Sequence, residues 1–447
     1  MEKMEEYINT LLEQIRCQKV HTPIARELRA HLEDQAADNE RLGMKPEEAM
    51  HAAIRDMGDP VETGISLDHI HRPQIAWNVI LLMAVISLCN ILLHVTIGLQ
   101  NETIDGYTSY AYISRSILHV VLGFAAMLLF YRLDYSFLGK YARPLAILFY
   151  GYLFWEVFFN GLEVHGRTAF TSTGPIRLSV IYLTFLSVPL YAALLYRYHG
   201  TGYRGIAKAF LWMLVPFIIC WRIPCLSQAL LLFFMMSLLL SLAVFRGWFQ
   251  VAAKRFLLLY WSGLILFPIL LTACGIFLNW FAVYQVERIK AFFSVQANDF
   301  NYMGRLLHSY LTDARLFGKS STDILIGLPN YNQDYILTFV SSYYGIAAAV
   351  FIGSLVLLVG YKAVHLSLKQ KNQLGLMIGC ACGIVFLTTT LVNILENLNF
   401  LPLTETFLPF FSYGGTGQIV SYILVGIFLS VYRYQNIHID LHTPETA

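Results

Sequence analysis

Long apolar segments separated by short polar ones dominate the chain from residue 74 onward. As a helix, each segment is long enough to cross the hydrocarbon layer of a membrane, which is roughly 30 Å thick and takes about 20 residues. Two of the segments meet at the sequence CWRIP, which predicts a tight helical hairpin. The pattern predicts an all-α polytopic membrane protein with about ten transmembrane helices. The predicted spans lie near 75–98, 111–133, 143–162, 178–196, 206–221, 224–245, 256–280, 335–361, 374–395 and 412–432.

The first 72 residues have a different pattern, with apolar positions at helical spacing among many charges. The segments MEEYINTLLEQIR, IARELRAHLEDQAADNERLG and KPEEAMHAAIRDMGDP predict three helices, the second ending at Gly43 and the third at Gly58 and Pro60. Because the charged start lacks the pattern of a cleavable signal peptide, we expect a cytoplasmic N-terminus. We predict a cytoplasmic helical domain over 1–72, a membrane domain over 73–436 and a cytoplasmic tail over 437–447.

Composition supports the membrane assignment and narrows the choice of partners. Hydrophobic residues make up 57% of the chain and charged residues only 13%, which is too apolar for a soluble protein of this length. The net charge of +2 and the lack of a long basic run predict no nucleic-acid partner. The seven cysteines lie mostly in apolar segments without a second pair at metal-ligand spacing, so we interpret them as packing residues and predict no metal site.

The distribution of basic residues predicts which loops face the cytoplasm. With both chain ends inside, the loops near 132–143, 197–208, 246–255 and 362–371 are cytoplasmic and basic, as expected for such loops. The long loop near 281–334 then faces outward. A loop of this length among short ones is more often functional than not.

This outer loop combines bases with one acid at its end. Arg288 and Lys319 are among its bases, and Asp334 lies where the loop meets the eighth predicted span. These charges favour an anionic substrate. If the span begins near Asp334, the carboxylate is either an N-cap or a general base that accepts a proton from a substrate hydroxyl. Both interpretations stay open on the residues alone.

A second outer feature precedes the last predicted span. The segment 393–418 contains Pro402 and Pro409 and ends in a turn. Glycines in such a turn let backbone N–H groups approach an anion, whereas an ordinary re-entrant turn would need them only for its shape. The turn residues are Ser412, Tyr413, Gly414 and Gly415.

Polar residues inside the second and third predicted spans suggest a structural ion pair. Charged groups at membrane depth usually face the bundle interior and pair with one another. We therefore expect Arg115 or His119 to pair with Glu156.

With these loops, the chain resembles the SEDS family (shape, elongation, division and sporulation), the FtsW/RodA/SpoVE group of bacterial cell-wall membrane proteins, from about residue 75 to 435. The segment 1–72 separately resembles the permease prefix domain found ahead of some bacterial membrane proteins. The blocks that carry the main resemblance are YQVERIKAFFSVQANDFNY, RLFGKS, LPNYNQDYILTFVSSYYG and NILENLNFLPLTETFLPFFSYGGTG.

The resemblance implies a peptidoglycan glycosyltransferase that polymerises lipid II at the outer face of the bacterial cytoplasmic membrane, in cell elongation, division or sporulation. It further implies a single-span class B penicillin-binding transpeptidase as partner, membrane lipids around the protein, and undecaprenyl pyrophosphate as the leaving group. The need for a divalent cation is left open. The implied catalytic residue is Asp334, and the implied substrate-binding residues are Arg288, Lys319, Ser412, Tyr413, Gly414 and Gly415.

Departures from the family pattern keep two alternatives open. Asn330 and Asn332 stand where members usually have a glutamate and a histidine, and Ser342 and Tyr343 replace a common acidic pair. A flippase or transporter of lipid II would need a polar path through the bundle rather than an outer acid. A catalytically inactive scaffold of the cell-wall machinery is the other alternative.

Overall fold

The computed structural model describes residues 2–101, 103–104, 106–164, 167–173, 177–278, 280, 286, 302–321, 327–401 and 406–435. The chain forms two compact units. One contains the N-terminal segment up to Ala76, and the other comprises Trp77–Lys369 and Gln373–Val431.

The N-terminal segment folds into four helices, one more than its pattern predicts. Gly43 follows the second helix in a left-handed conformation, with φ of 96°, as predicted. The additional helix begins where we expected the third to stop, since Pro60 occupies its first turn and the Asp59 side chain caps it by accepting from the Val61 N–H at 3.3 Å. The four helices are α1 (Glu2–Glu13), α2 (His21–Arg41), α3 (Pro46–Asp56) and α4 (Pro60–His71).

The second unit is almost entirely helical. Eight of its helices are long and apolar enough to cross a membrane, counted over the described residues. In chain order the helices are α5 (Trp77–Gln100), α6 (Ser109–Arg132), α7 (Ser136–Lys140), α8 (Ala142–Trp155), α9 (Val180–Leu183), α10 (Ser187–Tyr196), α11 (Tyr203–Arg222), α12 (Leu226–Phe245), α13 (Ala253–Phe277), α14 (Tyr302–Asp313), α15 (Ile336–Tyr343), α16 (Ile346–Leu368), α17 (Gln373–Asn397) and α18 (Gly415–Arg433).

Two predicted spans are shorter and less regular than their hydropathy suggests. The segment 143–162 is α8 followed by a π-helical turn, Glu156–Asn160. The segment 178–196 is α9, a 3₁₀ turn over Thr184–Leu186, and α10. Two antiparallel hairpins pair β1 (Thr103–Ile104) with β2 (Tyr107–Thr108) and β3 (Leu162–Val164) with β4 (Arg167–Phe170).

The predicted eighth span over 335–361 is not one helix. It is divided into α15 and α16 by Gly345, whose φ of 104° and ψ of 162° no helix can contain. α15 has only eight residues and is almost completely buried, whereas α16 has the length of a membrane span. The prediction of a continuous span is therefore wrong, and the break leaves a short buried helix directly after Asp334.

The helices differ in how deeply they lie within this unit. Within their most apolar 18 residues, α17 and α18 are each 78% buried, whereas α13 is 0% buried. These two most buried helices flank the second predicted outer feature, the segment 393–418. The turn that contains Ser412 therefore connects the two most buried of these helices.

Candidate active site

Asp334 lies in a turn that immediately precedes α15. The Asn330 carbonyl accepts from the Gln333 N–H at 3.0 Å and from the Tyr335 N–H at 3.3 Å, and Asn330 itself has a φ of 53°. Tyr335 occupies the N-cap position of the helix, so Asp334 lies one residue before it. Of the two interpretations left open for Asp334, the N-cap position belongs to Tyr335 instead, and the general-base interpretation stays a prediction.

Two asparagines of α17 hold the backbone of this turn. The Asp334 carbonyl accepts from the Asn393 side chain at 2.9 Å and from the Asn397 side chain at 3.0 Å. Asn397 also accepts from Thr338, at 3.0 Å from its N–H and 2.7 Å from its hydroxyl. Since all these groups are buried, breaking any of these bonds would leave an unsatisfied polar group, at a cost of about 1–3 kcal/mol.

The turn before α18 is joined to the same segment by hydrogen bonds. The Ser412 hydroxyl donates to the Gln333 carbonyl at 2.7 Å and accepts from the Leu408 N–H at 2.7 Å. The Tyr413 N–H donates to the Asn332 carbonyl at 2.8 Å. The structure therefore brings Ser412 and Tyr413 beside Asp334, as a common site requires. The Ser412 hydroxyl uses its proton to hold the backbone at Gln333. The predicted contact of Ser412 with substrate stays a prediction.

A cluster of aromatic and histidine side chains packs around Tyr413. The Tyr413 ring stacks on Tyr112 with centroids 4.4 Å apart, and the His94 centroid lies 5.7 Å away. His94 donates from Nε2 to the Phe411 carbonyl at 2.8 Å, so its Nδ1 accepts from the Tyr112 hydroxyl at 2.7 Å. His94 thus ties α5 and α6 to the turn that carries Tyr413.

Gly414 and Gly415 play different parts in this turn. Gly414 has a φ of 155° and leads into α18. A side chain at Gly415 would collide with His119, since an ideal Cβ there lies 2.7 Å from the imidazole Nε2. Gly415 thus lets the His119 side chain of α6 lie close to the start of α18, and the predicted role of both glycines toward substrate stays a prediction.

Lys319 lies at the opposite end of α15 from Asp334. Its segment is held there by backbone bonds from the Gly318 N–H to Tyr344 at 3.0 Å and from the Ser320 N–H to Ser342 at 2.7 Å. The ammonium lies 5.1 Å from the centroid of the Tyr343 ring. An eight-residue helix is about 12 Å long, so α15 separates Lys319 from Asp334 by roughly that distance along its axis.

Two other sequence predictions have different outcomes. Arg288 lies outside the described residues. Glu156 does not pair with Arg115 or His119, because its carboxylate accepts from the backbone N–H groups of Ser172 at 2.9 Å and Thr173 at 3.1 Å. Arg115 instead lies over the Tyr107 ring, 4.0 Å from its centroid.

Metal ligands are not grouped in the part of the chain that the structure describes. No three His, Cys, Asp or Glu side chains there lie close enough together to hold a metal ion.

Comparison with known proteins defines the class to which this fold and these turns belong. The profile of the FtsW/RodA/SpoVE family, described as cell cycle proteins, matches residues 74–437. The chain therefore belongs to this family of multi-pass membrane proteins. The resemblance of its loops to SEDS proteins is confirmed.

Relatives and solved structures agree with this assignment. A probable peptidoglycan glycosyltransferase FtsW of Geobacter sp. is 24% identical over 79% of this chain and 95% of its own length. A probable peptidoglycan glycosyltransferase FtsW of Escherichia coli is also 24% identical, over 70% of this chain and 74% of its own length.

Among solved structures, one chain aligns with this protein with a TM-score of 0.66. That structure is described as showing the structural coordination of polymerization and crosslinking by a peptidoglycan synthase complex. It is 21% identical and covers 81% of this chain and 99% of its own. The Thermus thermophilus rod shape determining protein RodA gives a TM-score of 0.53 at 18% identity, over 81% and 97% of the two chains. These likenesses show the fold.

The residues that sequence reasoning missed are mainly those that hold the site. Asn393 and Asn397 are four residues apart on an apolar helix, a spacing that places both on one face. Two polar residues on one face of an apolar helix could thus have indicated that this face lies against polar groups inside the protein. His94 and Tyr112 had none, because their partner Tyr413 is about 300 residues away in the sequence.

Proposed function

We propose that the protein is an inverting glycosyltransferase that polymerises lipid II into glycan strands at the outer face of the bacterial cytoplasmic membrane. The observation that carries this proposal is the position of Asp334 in a buried turn fixed by Asn393, Asn397 and Ser412. These bonds fix the backbone that carries the carboxylate, and general-base catalysis requires a base held in a defined position. Membership of the FtsW/RodA/SpoVE family and relatives named as peptidoglycan glycosyltransferases support the same reaction.

The proposed reaction is a single displacement. Asp334 accepts the proton of the 4-hydroxyl of the acceptor GlcNAc, whose oxygen forms a bond to the anomeric carbon of the donor MurNAc. The bond from that carbon to the pyrophosphate breaks, and undecaprenyl pyrophosphate leaves with the electron pair. The α-linked donor gives a β-linked product.

The separation of Asp334 from Lys319 suits such a displacement. In an inverting reaction the base and the leaving group lie on opposite sides of the anomeric carbon. A cation at the other end of α15 is thus in a position to neutralise the pyrophosphate, the usual role of Lys and Arg at phosphates. We assign this role to Lys319 and Arg288, and contacts with sugar or phosphate oxygens to Ser412, Tyr413, Gly414 and Gly415.

The direct test is polymerisation by the purified full-length protein. Fluorescent lipid II should be converted into long products that a muramidase degrades. If a well-folded preparation makes no polymer, alone or with any candidate transpeptidase, the enzyme assignment is wrong. Translocation of lipid II across vesicle membranes without polymer would instead identify a flippase.

We further propose a single-span class B penicillin-binding transpeptidase as partner. The similar structure concerned with polymerization and crosslinking by a synthase complex supports this pairing. Addition of the correct transpeptidase should raise the polymerisation rate, and a variant transpeptidase with an inactive crosslinking site should do so equally. No effect from any transpeptidase of the same organism would contradict the pairing.

The proposed orientation can be tested by labelling cysteines from outside the cell. In a background without the seven native cysteines, a cysteine replacing the exposed Ser321 should react with an impermeant thiol reagent in intact cells. A cysteine replacing the exposed Lys369 should react only after permeabilisation. The reverse result would place Asp334 on the cytoplasmic side and exclude lipid II polymerisation at the outer face.

We expect the N-terminal domain to be dispensable for the reaction, since the proposed orientation places it in the cytoplasm. A chain that starts at Arg72 should insert into the membrane and retain the polymerisation rate per molecule. The measurement is the same lipid II assay, with the elution profile from size exclusion as a control for folding. Loss of activity in a folded, monodisperse preparation would show that the domain takes part in the reaction.

A further inference from the structure

An apolar cavity of about 450 Å³ lies between α11, α12 and α13. Its volume falls in the range of about 300–1,000 Å³ that is typical of small-molecule sites. All three helices are long and apolar enough to span a membrane, so an opening between them faces lipid chains. The lining includes Ile206, Ala207 and Phe210 of α11, Leu240 of α12, and Phe256 and Tyr260 of α13.

The wall formed by α13 is fixed by polar contacts with α12. The Tyr260 hydroxyl lies 2.7 Å from the Ser237 hydroxyl, and the Trp261 indole donates to Ser241 at 3.0 Å. With these bonds the polar atom of Tyr260 already has a partner on α12. The cavity therefore offers an occupant an almost purely apolar surface.

One end of the cavity lies where α11 and α13 begin. The two loops that precede these helices are hydrogen-bonded to each other, from the Gly200 N–H to Trp248 at 2.8 Å and from the Gln250 N–H to Thr201 at 2.9 Å. These bonds place the starts of both helices side by side. The first lining residues after the loops are Tyr203 and Phe256, each within the first turn or two of its helix.

This end of the cavity is strongly basic. Arg204 and Lys208 lie in the first two turns of α11, Lys254 and Arg255 in the first turn of α13, and all four are exposed. No acidic residue occurs in the sequence between Glu163 and Glu287 that could neutralise them locally. Such long basic side chains extend from apolar helices toward the membrane surface and attract anionic lipids.

We propose that this cavity binds an acyl chain of an anionic phospholipid, whose phosphate contacts the basic rim formed by Arg204, Lys208, Lys254 and Arg255. The apolar lining suits the acyl chain of the lipid, and the basic rim suits its negatively charged phosphate. With the orientation predicted from the loop charges, the lipid comes from the cytoplasmic leaflet. The site lies on elements other than those that carry Asp334, so it stands independently of the proposed reaction.

Lipid binding can be measured on the full-length protein in a neutral detergent. Native mass spectrometry would compare phosphatidylglycerol with phosphatidylcholine of identical acyl chains at equal concentration, and thermal unfolding would be followed with each lipid and with inorganic phosphate. We expect retention of one phosphatidylglycerol and an unfolding temperature that rises with this lipid alone. Equal retention of both lipids, or equal protection by inorganic phosphate, would overturn the proposal.

Two variants test separately the cavity that holds the acyl chain and the basic rim that contacts the phosphate. Ala207→Phe fills the cavity and should abolish the retained lipid. Arg204→Gln combined with Lys254→Gln should weaken the preference for phosphatidylglycerol by about 30-fold, since each base near an anionic lipid contributes about 1 kcal/mol. Because the two rim residues are exposed, this second variant should fold even if Ala207→Phe does not.

Lys369→Gln is the matched control, as it removes an exposed base next to the C-terminus of α16. It should leave lipid retention unchanged. If it reduces binding as much as the rim variant does, the preference reflects overall charge and the site does not exist. Full retention of phosphatidylglycerol by a folded Ala207→Phe would likewise show that the cavity is not where the lipid binds.

Discussion

Asp334→Asn is expected to fold and insert like the unmodified protein and to lose nearly all polymerisation of lipid II. The asparagine has almost the same shape but cannot accept the proton of the attacking hydroxyl. Removing a general base typically lowers a rate by about 10² to 10⁴. The rate of polymer formation by purified protein, at saturating lipid II, measures this loss directly.

The hydrogen bonds from α17 to this turn do not depend on the carboxylate of residue 334. Asn393 and Asn397 bind the carbonyl of residue 334 rather than its side chain, so the change leaves both bonds in place. The backbone of the turn should therefore be held in the same way in both proteins, and we expect similar thermal unfolding. A large loss of stability would mean that the carboxylate has a structural role, and an unchanged polymerisation rate would remove Asp334 from the mechanism.

Asp313→Asn provides the matched control. Asp313 ends α14, in the same predicted outer region, and its carboxylate accepts from the Ser321 hydroxyl at 2.6 Å. The same chemical change there should leave polymerisation close to the unmodified rate. If both variants lose activity equally, the effect arises from the charge of the outer loop rather than from proton transfer at Asp334.

Hydropathy predicted the positions of most helices but not the points at which they break. An apolar run reports only that a segment prefers a membrane, and the run 335–361 contains nothing polar enough to interrupt it. The interruption depends on the backbone conformation of Gly345, for which hydropathy carries no information. Hydropathy did not predict the π-helical turn at Glu156–Asn160 for the same reason.

The members of the candidate site could be proposed from the sequence only where they are close together in it. Local patterns of charge, proline and glycine were enough to propose Asp334, Lys319 and the turn from Ser412 to Gly415. Their mutual arrangement depends on hydrogen bonds between distant segments, such as Ser412 with Gln333 and His94 with Phe411. Such pairs leave no trace in the periodicity of one sequence, so the structure was needed to show which elements hold the turn together.

Gly345 joins the two ends of the proposed site, which makes it the other position at which a small change should have a large effect. Its φ of 104° belongs to a region that only glycine occupies without strain. A Cβ there would also lie 2.5 Å from the Leu316 carbonyl oxygen and 2.7 Å from the Phe317 Cα. These are backbone atoms that cannot rotate away as a side chain can.

Gly345→Ala should therefore displace the segment that carries Lys319. That segment is bonded on both sides of the glycine, by the Ile346 N–H to Arg315 at 2.9 Å and by the Gly318 N–H to Tyr344 at 3.0 Å. We expect a loss of stability of about 1–3 kcal/mol from backbone strain alone, more from the collision, and a marked fall in polymerisation. Gly353→Ala in α16 is the control, because its Cβ would lie 3.6 Å from Ile394 and alanine favours a helix over glycine by about 1 kcal/mol. Thermal unfolding and the lipid II assay on both variants decide the matter: if Gly345→Ala behaves like Gly353→Ala in both, the close approach of these segments does not shape the site.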